Sequence, residues 1–496
     1  MTTSSPSSPA PLLDPSVWSD RVFLDGHWVA GSAGSIDVVE PATGGVLGRI
    51  GLASPADLGK AAEVAAEAQH GWAALPHPER AAVLRRAGAL WAQHAAEIAG
   101  WNTREVGAVP AMAGFSVHVA EQECYEAAAL PSRPYGELLP SEQPRLSMAR
   151  RVPAGVVGVI SPFNVPIILG IRSVAPALAL GNAVVLKPDP RTAVTGGVTI
   201  ARIFEEAGLP AGVLQMLPGR ADVGEAMVEH PLVRVISFTG STAAGRRVGE
   251  LAGRHLTRAH LELGGNSALI VLADADVAEA ATLAAFGTFF HQGQICMTTG
   301  RHLVHESRYD DFVAALAEKA ARLPVGNPAT EEVALGPLID AGQRDKIHRI
   351  VTDTVTRGAR VAAGGTYEGL FYQATVLADV PPDSPAFAEE IFGPVAPVAS
   401  FASEEEAVRL ATASDYGLSL GIVTRDVLRG VALADRIPTG IVHINDQTVS
   451  DEANSPFGGV AASGTGSRFG GPAANVEAFT ETRWVTMRSV PPAYPF

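Results

Sequence analysis

From residue 151 onward, short runs of β-branched and apolar residues alternate with helical stretches, and no other feature narrows the possible folds as much. Val156–Ile160 and the runs 183–186, 213–216 and 233–238 read as strands, with helical patterns near 166–180, 196–207 and 222–229 between them. Strands alternating with helices are joined by right-handed crossovers, which gives a parallel sheet covered on both faces. Such sheets bind nucleotides at the carboxyl ends of their strands. Beyond Gly265 the alternation restarts, with a strand at 268–272, an alanine-rich helix at 277–294 and a strand at 301–305. At 496 residues the chain exceeds the roughly 250–300 that one core supports, so two large domains are expected.

The flanks are read from local chemistry. Residues 1–16 open with serine, threonine and proline, lack the basic start and apolar core of a signal peptide, and read as a disordered tail. Residues 22–29 look like a hairpin turning at Asp25-Gly26. Ser54-Pro55-Ala56-Asp57 starts a helix with a cap, a proline and an acid in place, and helical pattern continues intermittently to about Leu130. Residues 483–487 alternate as an edge strand does, with 138–152 as a possible partner. An open edge is a liability, so this one is expected to close a homodimer or homotetramer.

Composition removes several function classes. No apolar run approaches the roughly 20 residues of a membrane span, and a net charge of -15 disfavours nucleic acid as a partner. Two cysteines, Cys124 and Cys296, cannot build a disulfide framework or a multi-cysteine metal site; a reducing, cytoplasmic setting fits.

Cys296 lies in His291-Gln292-Gly293-Gln294-Ile295-Cys296, between a glycine-bearing helix end and a polar segment. Alone, a free cysteine reads as a small buried hydrophobe. Other stretches give it company: Glu262 in Leu261-Glu262-Leu263-Gly264-Gly265, Asn164 in Ser161-Pro162-Phe163-Asn164, and a strand-to-helix turn at Phe238-Thr239-Gly240-Ser241-Thr242-Ala243-Ala244-Gly245. That turn is no P-loop, because Arg246-Arg247 stand where lysine and a hydroxyl residue would be required. By itself it fits a packing turn as well as a phosphate site. Lys187, leaving a strand end, could hydrogen-bond a ribose or simply be solvated.

Together with Lys187-Pro188, Gly293-Gln294-Ile295-Cys296, Glu390-Ile391-Phe392-Gly393-Pro394 and Pro456-Phe457-Gly458-Gly459, these motifs resemble the aldehyde dehydrogenase superfamily from about Phe23 to Thr486. Their order matches the family's, with Glu262 standing 34 residues before Cys296. The resemblance implies an α/β, aldehyde dehydrogenase-like fold. A Rossmann-like NAD(P)-binding domain would occupy 17–129 and 151–263, an α/β catalytic domain 264–479, and a small β oligomerisation hairpin 130–150 and 480–496. It further implies Cys296 as nucleophile, Glu262 as general base and Asn164 as the side-chain half of an oxyanion hole. The cofactor would touch Ile160, Ser161, Phe163, Lys187, Gly219, Gly240, Ser241, Leu263, Glu390 and Phe392, with Gln343 and Lys346 also in reach; no metal is implied.

The chemistry agrees with that assignment. A thiolate adding to an aldehyde carbonyl builds an alkoxide that an amide and a backbone N–H stabilise. The thioester left after hydride departure needs water activated by a carboxylate of raised pKa.

Two departures refine the expectation. Pro190 replaces the glutamate that many NAD-preferring members use on the ribose, and Arg191 could help neutralise a 2′-phosphate, so both NAD and NADP are expected to serve. Phe163 replaces a common tryptophan. With the segment from Val165 to Arg172 and with Gly459-Val460-Ala461-Ala462-Ser463-Gly464, it is similar to the bacterial benzaldehyde and vanillin dehydrogenase branch. Val165, Arg172, Ile295 and Phe457 are the expected substrate pocket, with room for a flat ring. Rival readings are a CoA-acylating semialdehyde dehydrogenase, against which Glu262 argues, and a catalytically silent scaffold, against which the complete set Cys296, Glu262 and Asn164 argues.

Overall fold

The computed structural model describes residues 11–133 and 135–495. Its first sheet contains β1 (Arg21–Leu24), β2 (His27–Ala30), β3 (Val156–Ile160), β4 (Ala183–Lys187), β5 (Leu214–Met216), β6 (Val233–Thr239) and β7 (Arg258–Glu262), ordered β7-β6-β3-β4-β5-β1-β2. Strands β3 to β7 are parallel, and the hairpin β1-β2 adds antiparallel at one edge. Its turn uses Asp25 and Gly26 at positive φ, as the Asp-Gly pair requires. Alternate residues of β3 and β4 enter two different cores: Val157, Val159, Val184 and Leu186 on one face, Val156, Ile160, Ala183 and Val185 on the other. Both faces are dry, so these strands read as unbroken apolar runs.

The second sheet contains β8 (Ser267–Val271), β9 (Thr299–His305), β10 (Arg360–Ala363), β11 (Thr375–Ala378), β12 (Val395–Phe401), β13 (Ser419–Val423) and β14 (Ile441–Ile444), ordered β10-β11-β12-β9-β8-β13-β14. All its pairings are parallel except β10 with β11. The helices that matter for the site are α1 (Pro166–Ala179), α2 (Ala221–Glu229), α3 (Thr242–His255), α4 (Val277–Phe289) and α5 (Ala341–Thr356). A separate three-stranded sheet pairs Thr480–Met487 with Leu146–Pro153, and the latter with Gly136–Leu138. No helix among the described residues is long and apolar enough to cross a membrane.

Three expectations need correction. Residues 1–10 lie outside the described residues, but 11–16 are not a free tail: Leu12 and Leu13 are buried, and their N–H groups donate to the two oxygens of Glu97 at 2.9 Å each. An apolar pair beside Trp18 gains more from the core than from solvent. The helix expected over 277–294 ends at Phe289, because His291 and Gln292 adopt left-handed backbone and break the α-helical hydrogen-bond ladder. Finally, the span 264–479 does not belong wholly to the second unit. Phe469, Ala478 and Phe479 join the core of the first sheet together with Cys124, which is fully buried.

Candidate active site

In the first sheet Ile160 pairs with Lys187 and with Phe238, and Thr239 pairs with Glu262, so four parallel strands end side by side. That row faces the Cys296 loop of the second unit. Three successive residues there, His291, Gln292 and Gly293, have φ of 52°, 55° and 66°. Gly293 is obligatory, because a Cβ would lie 2.2 Å from the carbonyl oxygen of Gly393. Side chains hold the turn: Gln292 Nε2 donates to the Gly107 carbonyl at 2.8 Å, and Gln294 Oε1 accepts from the Ile339 N–H at 3.1 Å.

Asn164 is tied to the same turn twice. His291 Nε2 lies 2.8 Å from the Asn164 carbonyl, and Asn164 Nδ2 donates to the Gln294 carbonyl at 2.8 Å. The backbone N–H of Cys296 makes no hydrogen bond among the described residues. Together with the second Asn164 N–H, it is a free donor beside the sulfur.

Cys296 and Asn164 stand where two cavities meet. The larger, about 370 Å³, is walled by Val165, Ile295, Phe457, Phe286, Phe290 and Arg172. All four residues expected in a substrate pocket therefore share one cavity with the thiol. The smaller, about 130 Å³, brings together Phe163, Gly240, Ser241, Leu263, Gln343, Lys346, Glu390 and Phe392. Ile160, Ser161, Lys187 and Gly219 do not line it. Ile160 and Lys187 lie further along the strand ends, 3.8 and 3.7 Å from where a Cβ of Gly224 in α2 would sit, and Gly219 precedes that helix.

The charges are set by burial. Burial, reinforced by the Glu390 and Glu262 carboxyls, pushes the Cys296 thiol up to about 12. Cys296 lies deep in the protein yet keeps part of its surface open to the cavity. Glu262 does not line either cavity. It is 3% exposed, neither carboxylate oxygen has a hydrogen-bond partner within 3.5 Å, and burial lifts its pKa well above the usual range, with Arg468 and the nearby Gly459 N–H pulling the other way. Burial raises Glu390 to about 6; its Oε1 accepts from the Gly265 N–H at 3.0 Å. On α5, Lys346 Nζ donates to the Glu390 carbonyl at 2.8 Å and Gln343 Nε2 to that of Phe392 at 3.0 Å, so both position this segment through its backbone.

A dinucleotide fits the donor set along the strand ends. Lys187 is buried, which depresses its pKa against the opposing pull of Asp189 and Asp222, and it makes no direct hydrogen bond or ion pair among the described residues, so its ammonium is free to bond an acceptor. Arg191 is less free than its sequence position implied. Its guanidinium grips Asp189 at 3.0 and 2.9 Å, reaches Asp340 at 2.7 Å and lies 4.1 Å over the Phe163 ring. The glycines of the 238–245 turn serve packing: a Cβ on Gly245 would come within 2.1 Å of Leu263, and one on Gly240 within 2.7 Å of Phe238.

Residues 28–485 match the family model described as the aldehyde dehydrogenase family. The chain belongs to that family. A vanillin dehydrogenase of Amycolatopsis sp. is 71% identical over 98% of this chain and 100% of its own. A benzaldehyde dehydrogenase [NAD(+)] of Pseudomonas putida is 50% identical over 97% and 98%. Among solved structures, a salicylaldehyde dehydrogenase from Pseudomonas putida G7 complexed with salicylaldehyde superimposes with a TM-score of 0.93 at 37% identity, covering 96% of this chain and 99% of its own. Sequence motifs pointed to the family and to its aromatic branch. They gave no sign of His291, Asp340, Asp451 or Arg468, whose partners are set only by the fold.

Proposed function

We propose that this aldehyde dehydrogenase oxidises aromatic aldehydes to carboxylic acids, with NAD or NADP as acceptor. The observation that carries this reading is the meeting of two cavities at Cys296 and Asn164, one walled by Phe286, Phe290 and Phe457, the other by the turn at Gly240. A flat ring fits the aromatic side, with its carbonyl at the sulfur. The names of the relatives, which act on vanillin, benzaldehyde and salicylaldehyde, support the same class.

In this reading Cys296 attacks the carbonyl carbon as thiolate, and the resulting alkoxide is held by the Asn164 amide and the Cys296 backbone N–H. Phe163, Lys187, Ser241 and Glu390 would hold the dinucleotide, which when bound supplies the hydride acceptor that converts the adduct to a thioester. Glu262 then takes a proton from water, which attacks the thioester carbon and frees the acid and the thiol. The unbonded, buried carboxyl of Glu262 is suited to this, because its raised pKa makes it a base strong enough for water.

The strand Thr480–Met487 has one open edge and carries a largely exposed Trp484, which supports pairing into a homodimer or homotetramer, in the cytoplasm. The deciding experiment is an aldehyde panel followed by NADH and NADPH absorbance, with product analysis with and without CoA. Aromatic acids formed without CoA are expected. Acyl-CoA as sole product, or turnover of aliphatic aldehydes alone, would refute the reading.

A further inference from the structure

Glu262 is the last residue of β7, and a segment near the C-terminus returns to lie along it. The Leu263 N–H donates to the Ser463 carbonyl at 2.9 Å, Leu261 exchanges two bonds of 3.3 Å with Thr465, and Glu262 itself bridges to Gly464. A second antiparallel bridge joins Phe457 to Phe469 through bonds of 2.7 and 3.0 Å. Gly458, which follows Phe457, and Arg468, which precedes Phe469, are thereby brought against Glu262.

Gly458 is the point of contact. A Cβ there would lie 2.8 Å from Glu262 Oε1, 2.9 Å from Arg468 Cδ and 2.4 Å from the Ser467 carbonyl oxygen, so the carboxyl and the arginine stem share the space over one glycine. The half-buried Arg468 donates through Nη1 to the carbonyls of Gly459 at 3.2 Å and Ser467 at 2.9 Å, and no carboxylate among the described residues forms an ion pair with it. A buried acid without a hydrogen bond and an arginine without an acid thus flank the same residue.

The other charged or titratable groups around Glu262 are Arg172 of α1, the Cys296 thiol and His260 on the same face of β7. Arg172 pulls on Glu262 less than Arg468 does and is already bonded to Glu123 and Asp451. His260 is neutral, because burial pushes it down to about 4. Arg468 is therefore the principal positive charge available to an ionised Glu262. The thiol answers to other groups: the charges that act most on Cys296 are Glu390, Glu262, Asp451 and Arg172.

We propose that Arg468 is a positioning residue for thioester hydrolysis, supplying the counter-charge that lets Glu262 lose its proton and stand ready for water. The proposal rests on the aldehyde-oxidation reading above. In the hydrolytic step the Glu262 carboxylate takes a proton from water as the water oxygen bonds to the thioester carbon; the C–S bond then breaks, giving the carboxylic acid and the Cys296 thiolate. Without Arg468 the carboxyl keeps its proton to higher pH, and this step slows while thiol attack and hydride departure do not.

The test follows single turnovers, with enzyme in excess over aldehyde, across about pH 6 to 10. NADH formation reports thiol attack with hydride departure, and rapid quench reports acid formation. Arg468→Gln and Arg468→Met keep a stem over Gly458 and lose the charge. In them the midpoint of the rise in acid formation is expected about 0.5–1 pH unit higher, so the step slows about 3- to 10-fold on the acid side and meets the wild type on the alkaline side. NADH formation should stay within about twofold of wild type. Arg468→Lys should restore the profile, and Met answers the question should Gln not fold. An unmoved midpoint, an equal loss at every pH, or a loss shared by Lys overturns the proposal and leaves Arg468 as a strut for the Gly459 and Ser467 carbonyls. Absence of NADH formation by the wild type with every aldehyde overturns the underlying function instead, and so is told apart from failure of Arg468 alone.

Discussion

The imidazole of His291 and the carbonyl of Asn164 are 2.8 Å apart, and this contact joins the loop carrying the thiol to the loop carrying the oxyanion amide. Burial pushes the His291 pKa down to about 4, so the ring is neutral and must carry its proton on Nε2 to donate here. Replacing it with alanine frees the Asn164 loop. His291→Ala is expected to lower kcat by about 10- to 100-fold with a smaller change in KM. His291→Asn, which keeps a donor, should recover part of the loss. Steady-state kinetics alongside a melting curve decide the matter, and a variant that melts early but keeps its kcat would contradict the positioning role.

The pH dependence follows from two raised pKa values. Cys296 and Glu262 are both held in their protonated forms by burial, and each must lose its proton to act. Their active forms grow as pH rises, so kcat should climb with pH through neutrality into the alkaline range rather than show an acidic optimum. Glu262→Gln should still release one rapid equivalent of NADH and then stall, with steady turnover down by about 100-fold or more. Rapid-quench and stopped-flow traces would show this directly. Steady turnover near wild type would remove Glu262 from the role of base.

Arg191 holds two carboxylates, Asp189 and Asp340, close to Lys187 and Phe163. Burial alone would raise the Asp189 carboxyl; the bonds to Arg191 outweigh it and keep Asp189 ionised and paired. In Arg191→Ala that charge is released beside the ribose site. NADP, with its extra phosphate, should then lose about tenfold more kcat/KM than NAD. Equal losses for the two cofactors would show that Arg191 has no part in admitting the phosphate.

Gly245 allows α3 to lie against Leu263. With a Cβ 2.1 Å from that side chain, Gly245→Ala is expected to cost about 1–3 kcal/mol, read as a lower melting temperature. Adding Leu263→Ala should return part of the loss, because the clash is with the leucine methyls. An undisturbed melting curve for the single variant would disprove the packing account.

Much of the fold was legible because it depends on local pattern. The fully buried strands β3, β4 and β8 read as apolar runs, the capping box at Ser54 and Asp57 forms as written, and Asp25-Gly26 turns the first hairpin. The end of α4 was not legible. Nothing in Phe290-His291-Gln292 forbids helix locally, and the left-handed turn is held by tertiary bonds to Gly107, Pro337 and Asn164. The site divides in the same way. Cys296, Asn164, Phe163, Gly240, Glu390 and Phe457 lie within short motifs, whereas Asp451 reaches Arg172 across 279 residues and Asp340 reaches Arg191 across 149. Such pairings leave no periodic trace, and only the closed fold reveals that Arg191 is already engaged.

Of the two thiols in the chain, that of Cys124 is sealed in the first core and is pushed far above the range where it ionises. Cys296 alone opens to a cavity. Every molecule thus displays a single reachable thiol, and that thiol is at the proposed reaction centre. A chromogenic or isotopic alkylating reagent would therefore count competent sites in a preparation one by one, with no engineered tag and no background from elsewhere on the protein.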